Sequence, residues 1–249
     1  MKLSVIFLAL ASTAGAQMVT QTTISAVALL NQAQEAYNQR ADMTKGREAI
    51  GLWESALKAE SENYESLWKL ARAYYWLGNR LPEKEQLNIF TKGKEYAEKA
   101  VKTKPGGVEG HYWLGVCLGR YGETKGILKS LMLVKPIRDE METVLKFDPR
   151  HAGAYHVLGV LHRKAPGKPL SIGNRKKALH YAKKAVELDP GSIKYALGLG
   201  EAYEALGEDE KAVEAFEEVK KMPPNPEYLP ESLEDKETAE KLIARLNKK

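Results

Sequence analysis

Three stretches of the chain share one line: GVEGHYWLGVCLGRYG (107–122), AGAYHVLGVLHRKA (152–165) and SIKYALGLGEAYEALG (192–207). Each reads as a helix with a Leu-Gly pair one or two turns past its start. Each is followed, after a variable gap, by a second amphipathic segment that ends in proline: IRDEMETVLKFDP (137–149), RKKALHYAKKAVELDP (175–190) and EKAVEAFEEVKKMPP (210–224). Working outward, YESLWKLARAYYWLG (64–78) with KGKEYAEKAVKTKP (92–105) repeats the scheme. SAVALLNQAQEAYNQ (25–39) with REAIGLWESALKAES (47–61) is a weaker first copy. Proline cannot continue a helix, so each terminal proline stops one unit and starts the next.

The last unit, Pro190 to Pro224, is 34 residues long, the tetratricopeptide (TPR) period; the two before it measure 41 and 44. In this register small residues recur in the first helices at Ala71, Gly115, Gly159 and Gly200. Glycine inside a helix costs roughly 1 kcal/mol relative to alanine, so its recurrence implies a compensating close approach of the partner helix. Ala56, Ala100 and Ala185, and more loosely Val144 and Val219, would meet it from the second helices. Each pair alone leaves an apolar face in water, and stacking buries those faces in a continuous core. The expected fold is all-α, a TPR-like α-solenoid of about five helix pairs over residues 17–222. Residues 223–249 then form a proline-rich turn and a C-terminal capping helix, SLEDKETAEKLIARLNKK (232–249).

The N-terminus reads as an address. In MKLSVIFLALASTAGA (1–16), Lys2 precedes a short apolar run, and Ala14-Gly15-Ala16 fits a signal-peptide cleavage site before Gln17. The run is too short to span a bilayer, and no lipidation cysteine follows it. A periplasmic or secreted chain without a membrane span is expected. The single cysteine, Cys117, excludes an intramolecular disulfide. A net charge of +5 over 249 residues is too dilute to argue for nucleic acid.

First helices line the concave face of such a stack. The groove residues expected from the register are Trp68, Arg72 and Tyr75, then Tyr112 and Val116, then His156, Val160 and Arg163, with Leu197, Glu201 and Glu204 closing the series. Aromatic and arginine side chains are the types that anchor interfaces. The long units carry extra segments. APGKPLSIGN (165–174) reads as a loop. ETKGILKSLMLVKPIRDEMETVL (123–145) reads as a short apolar helix from Ile127 to Val134, a break at Lys135-Pro136, and the repeat helix from Ile137. Ile127, Leu128, Leu131 and Met132 are ordinary core, or the wall of an apolar pocket, or a subunit interface of a homo-oligomer. Catalytic motifs are missing: His151, His156 and His162 stand five and six apart, not the three or four that one helical metal face needs. An enzyme, a metal site and a cofactor are not expected.

The strings EGHYWLGVCLGRYGETKGILKSLMLVKPIRDEMETVLKFDP and RKAPGKPLSIGNRKKALHYAKKAVELDP resemble the TatT family, the T component associated with tripartite ATP-independent periplasmic (TRAP) transporters. The more distant regulator of microtubule dynamics proteins share a similar HYW-LG line and PG-P-S-G loop. The TatT resemblance implies divergent TPRs, self-association, a cleft through the protomer, and docking to a solute-binding protein that hands over an organic, hydrophobic ligand. TatT members are typically lipoproteins, and this chain departs from them in lacking the cysteine. The expected function is an exported TPR-type interaction protein with a protein partner in its groove, either a TRAP accessory or an envelope-assembly scaffold with no transport role.

Overall fold

The computed structural model describes residues 26–248, so the expected signal peptide lies outside the described residues. Within them the chain forms five antiparallel helix pairs: α1 (Ala26–Asn38) with α2 (Met43–Ala59), α3 (Tyr64–Gly78) with α4 (Glu83–Thr103), α5 (Val108–Lys125) with α6 (Ile127–Phe147), α7 (Ala152–Lys164) with α8 (Arg175–Leu188), and α9 (Ile193–Leu206) with α10 (Asp209–Lys221). A 3-10 turn, Pro226–Tyr228, leads into α11 (Leu229–Leu246). The capping helix therefore starts earlier than residue 232, because Pro230 fits the first turn of a helix, where no amide donor is needed.

Local chemistry sets the helix starts. Asp42, Asn63, His151 and Asn174 each accept a backbone N–H of the first turn of α2, α3, α7 and α8. The core runs along the stack. Tyr37, Trp53 and Trp76 fill the first pair and α3, with the Tyr37 and Trp53 rings 5.4 Å apart. At the other end Ala239, Ile243 and Leu246 of α11 cover Leu197, Phe216 and Val219. Leu197 belongs to this core.

The recurring glycines do admit close neighbours, through partners other than the expected alanines. A β-carbon at Gly159 would lie 3.3 Å from the Ala178 carbonyl oxygen, and one at Gly200 would lie 2.3 Å from the buried Phe216 ring.

The expected break in the long third unit is not found. α6 runs unbroken through Pro136. Proline costs about 3 kcal/mol inside a helix. Here Leu133, Val134, Ile137, Met141 and Val144 form one buried stripe spanning the proline, and each such side chain contributes roughly 1.5–3 kcal/mol. The Met132 carbonyl, left without its donor, belongs to a residue 70% exposed, where water can replace it. The extra residues of this unit thus lengthen helices. Those of the next unit form the expected loop, held by the Gly173 N–H on the Pro166 carbonyl and by His162, whose Nδ1 bonds the Ile172 carbonyl.

The C-terminal segment returns to the first repeat. Arg40, 1% exposed, donates from Nη2 to the Glu227 carbonyl at 2.7 Å and to Glu231 at 2.8 Å, and from Nη1 to the Tyr37 carbonyl. Arg80 adds a bond to Glu234. The two ends of the superhelix are therefore joined.

Two outcomes test this packing in urea denaturation. Gly200→Ala should destabilise by about 1–3 kcal/mol, since overpacking against Phe216 outweighs the propensity gain. Gly51→Ala, in open space on α2, should stabilise by about 0.5–1 kcal/mol. Separately, Arg40→Ala should cost about 3 kcal/mol by stranding Glu231, read as early loss of amide-exchange protection in α11.

Candidate functional site

Joining the ends encloses the concave side. A cleft of about 540 Å³ lies among α3, α5, α6 and α7, with Lys194 of α9 projecting into it. Its walls are mostly apolar: Val116, Leu118, Leu133, Ile137, Val157 and Val160. Its polar groups are Tyr75, Tyr112, His156 and Lys194, with Asn79, Ser130 and the ion-paired Arg120, Glu123 and Lys164 also in the lining.

Lys194 is the central charge. It lines the cleft as an exposed residue. Its ammonium stands 5.7 Å from the Tyr75 ring centroid, and no ion pair satisfies it among the described residues. Tyr75 beneath it holds its pKa above the ordinary value, against burial. Burial pushes the Asp235 carboxyl of α11 up to about 6, while Lys194 pulls it down. Burial pushes His156 down to about 3, helped by Lys194 and Arg163. Burial also raises Tyr112 and Tyr195. At neutral pH the ammonium thus stands among the phenols of Tyr112 and Tyr195, a neutral His156 imidazole and the Asp235 carboxyl, which at about 6 is mostly ionised. The cleft thus presents an ammonium without an ion pair among the described residues beside a mostly apolar wall. The Cys117 thiol lies outside the cleft lining, fully buried and pushed up by burial.

Of the groove residues expected from sequence, Tyr75, Tyr112, Val116, His156 and Val160 line this cleft, as do Ile127 and Leu131. The others are placed elsewhere. Arg72 is buried between the Tyr37 ring, 4.4 Å away, and the half-buried Trp68 ring, 5.3 Å away. Arg163 is held by Glu201 at 2.7 Å, and Glu204 by Arg245. Leu128 and Met132 point to solvent at 80% and 70% exposure. Among the other histidines, His111 pins α5 to α6 through Glu140 at 2.6 Å and to the Pro105 carbonyl.

Sequence reasoning missed Lys194 and Asp235. One signal was available. Lys194 sits in the first turn of α9, where the helix dipole disfavours a cation by roughly 0.3–1 kcal/mol. It also lies three residues before Leu197, in the extended groove register.

Helix pairs stacked at this period define a TPR-type helical repeat protein, and residues 171–230 match the tetratricopeptide repeat. Residues 29–165, more than half of the chain, match the family described as "Regulator of microtubule dynamics protein 1-3", and the chain belongs to that family. Regulator of microtubule dynamics protein 1 of Mus musculus is 27% identical over 173 residues, 63% of this chain and 56% of that protein. Regulator of microtubule dynamics protein 3 of Rattus norvegicus is 28% identical over 200 residues, 74% of this chain and 42% of that protein. The chain spans about half the length of the curated relatives it matches. Among solved structures, a thermophilic TPR protein of Thermus thermophilus superposes with a TM-score of 0.67 at 17% identity, covering 86% of this chain and 98% of that one. The MamA protein of Desulfovibrio magneticus gives 0.50 at 22% identity, covering 78% and 94%. Both likenesses concern the fold.

His156 provides a pH test. Its folded pKa lies below the ordinary 6.5. The stability it contributes is complete above about pH 6.5 and is lost as pH falls toward its folded value. Its Cε1 proton should not titrate by NMR between pH 5 and 8. His156→Phe should lose less stability than the parent chain between pH 7 and 5.

Proposed function

We propose that the chain is an exported TPR-type binding protein that holds a small apolar molecule bearing one acidic group in its inner cleft and works beside a protein partner. The observation that carries this reading is the unpaired ammonium of Lys194 inside a cleft walled by valine, leucine and isoleucine. A cleft of about 540 Å³ suits a small ligand. The export reading is supported by residues 1–16, and the names of the curated relatives concern microtubules, which an exported chain would not meet. Likeness to the TatT strings supports the finer proposal of a TRAP-transporter accessory docking a solute-binding protein. An envelope-assembly scaffold would use the same repeats without a ligand.

The test is titration with cis-parinaric acid, a fluorescent apolar carboxylate. Micromolar binding is expected in the parent chain. Lys194→Met should weaken it about tenfold or more, the worth of a charge-assisted bond. Val160→Trp should abolish it by filling the cleft. Unchanged binding in a folded Val160→Trp protein, or none in the parent chain, would overturn the proposal.

A further inference from the structure

The start of α6 carries large apolar side chains that the fold leaves uncovered. Ile127 and Leu128 are each 80% exposed and Met132 is 70% exposed. They follow one another along one side of the helix, since Leu128 and Met132 are four residues apart. Lys129 and Lys135 flank Met132 at three residues on either side, and Lys125 precedes the helix. From Arg120 to Asp139 the chain carries five basic side chains and two acidic ones, Glu123 and Asp139. Both acids are paired, Glu123 with Arg120 and Lys164, and Asp139 with Lys135 and Arg138, which leaves Lys125 and Lys129 as the cations without an ion pair among the described residues. The first turn of α6 has no side-chain cap, so its backbone N–H groups add to the positive end.

Exposed apolar wedges ringed by lysines at a helix start fit an anionic bilayer surface: the side chains enter the acyl boundary and the lysines meet the headgroups. A second copy of this chain fits less well, because a two-fold contact through this face would gather Lys125, Lys129 and Lys135 of both copies into one interface. None of the described helices is long and apolar enough to cross a membrane. We propose that residues 125–135 form a docking surface for anionic phospholipid bilayers, with the chain lying on the membrane. Ile127 and Leu131 belong at once to this surface and to the cleft wall. Docking would therefore bring the cleft mouth to the bilayer. The docking surface stands independently of what the cleft holds.

The experiment is co-sedimentation of the whole chain with vesicles of phosphatidylcholine alone, or with about a third phosphatidylglycerol. The chain should sediment with the anionic vesicles, less so as salt rises, and not with the neutral ones. Leu128→Ser/Met132→Ser, two exposed positions whose change leaves the core intact, should lower binding at least about tenfold. Replacing Lys125, Lys129 and Lys135 by Gln should lower it roughly a hundredfold, at about fivefold per lysine. Val160→Trp should leave it unchanged, which separates this surface from the cleft. Absence of sedimentation, equal binding to neutral vesicles, or binding that survives the Leu128/Met132 change would overturn the proposal. So would a parent dimer that becomes a monomer in that variant, since the face would then be a self-interface.

Discussion

The enclosure of the concave side depends on one buried charge. Arg40 sits in the turn between the first two helices at 1% exposure, where an unpaired guanidinium would cost several kcal/mol of desolvation. Its donors find two backbone carbonyls and a carboxylate, and its plane lies 4.5 Å from the Tyr37 ring centroid. Two of those partners belong to the C-terminal segment. Arg40 therefore cannot be satisfied unless that segment returns to the first repeat. An open solenoid becomes a closed one. Burial raises Asp235 and lowers His156, whereas Lys194 is raised chiefly by Tyr75, against burial.

Repeat architecture was legible because it is periodic. Leu-Gly lines, terminal prolines and the 34-residue unit report contacts between near neighbours in sequence, and stacking repeats them. The boundaries of α3 and α7 follow from those lines almost residue for residue. What was not legible is what the period does not encode. Pro136 signals a break by local propensity, yet the buried stripe from Leu133 to Val144 overrides it. Arg40 and Glu231 are 191 positions apart and carry no spacing that would pair them.

The groove was partly legible for the same reason. Tyr75, Tyr112, Val116, His156 and Val160 occupy three register positions on successive first helices, all of them on the side that lines the cleft. Register fails where a neighbour captures the side chain. Arg72 stacks under Tyr37, Arg163 meets Glu201, and Leu197 turns into the C-terminal core. Lys194 became visible only as a cation in the wrong turn of its helix.

The costs of this fold are not spread evenly along the chain. Regular pairs bury alanine and glycine at helix crossings and leave charged faces to solvent. The third pair departs from that rule with a proline inside α6, a start at Gly126 with φ of +97°, and exposed Ile127, Leu128 and Met132. None of these helps folding. The lengthened α6 does two things a repeat of standard length would not. Its inner side supplies much of the cleft wall, through Leu131, Val134 and Ile137, and its outer side stays apolar beside the mouth. A segment that is locally unfavourable and still held in register by a buried stripe is best explained by what its two faces meet. The departures from the repeat, more than the repeat itself, shape the cleft and the apolar edge beside it.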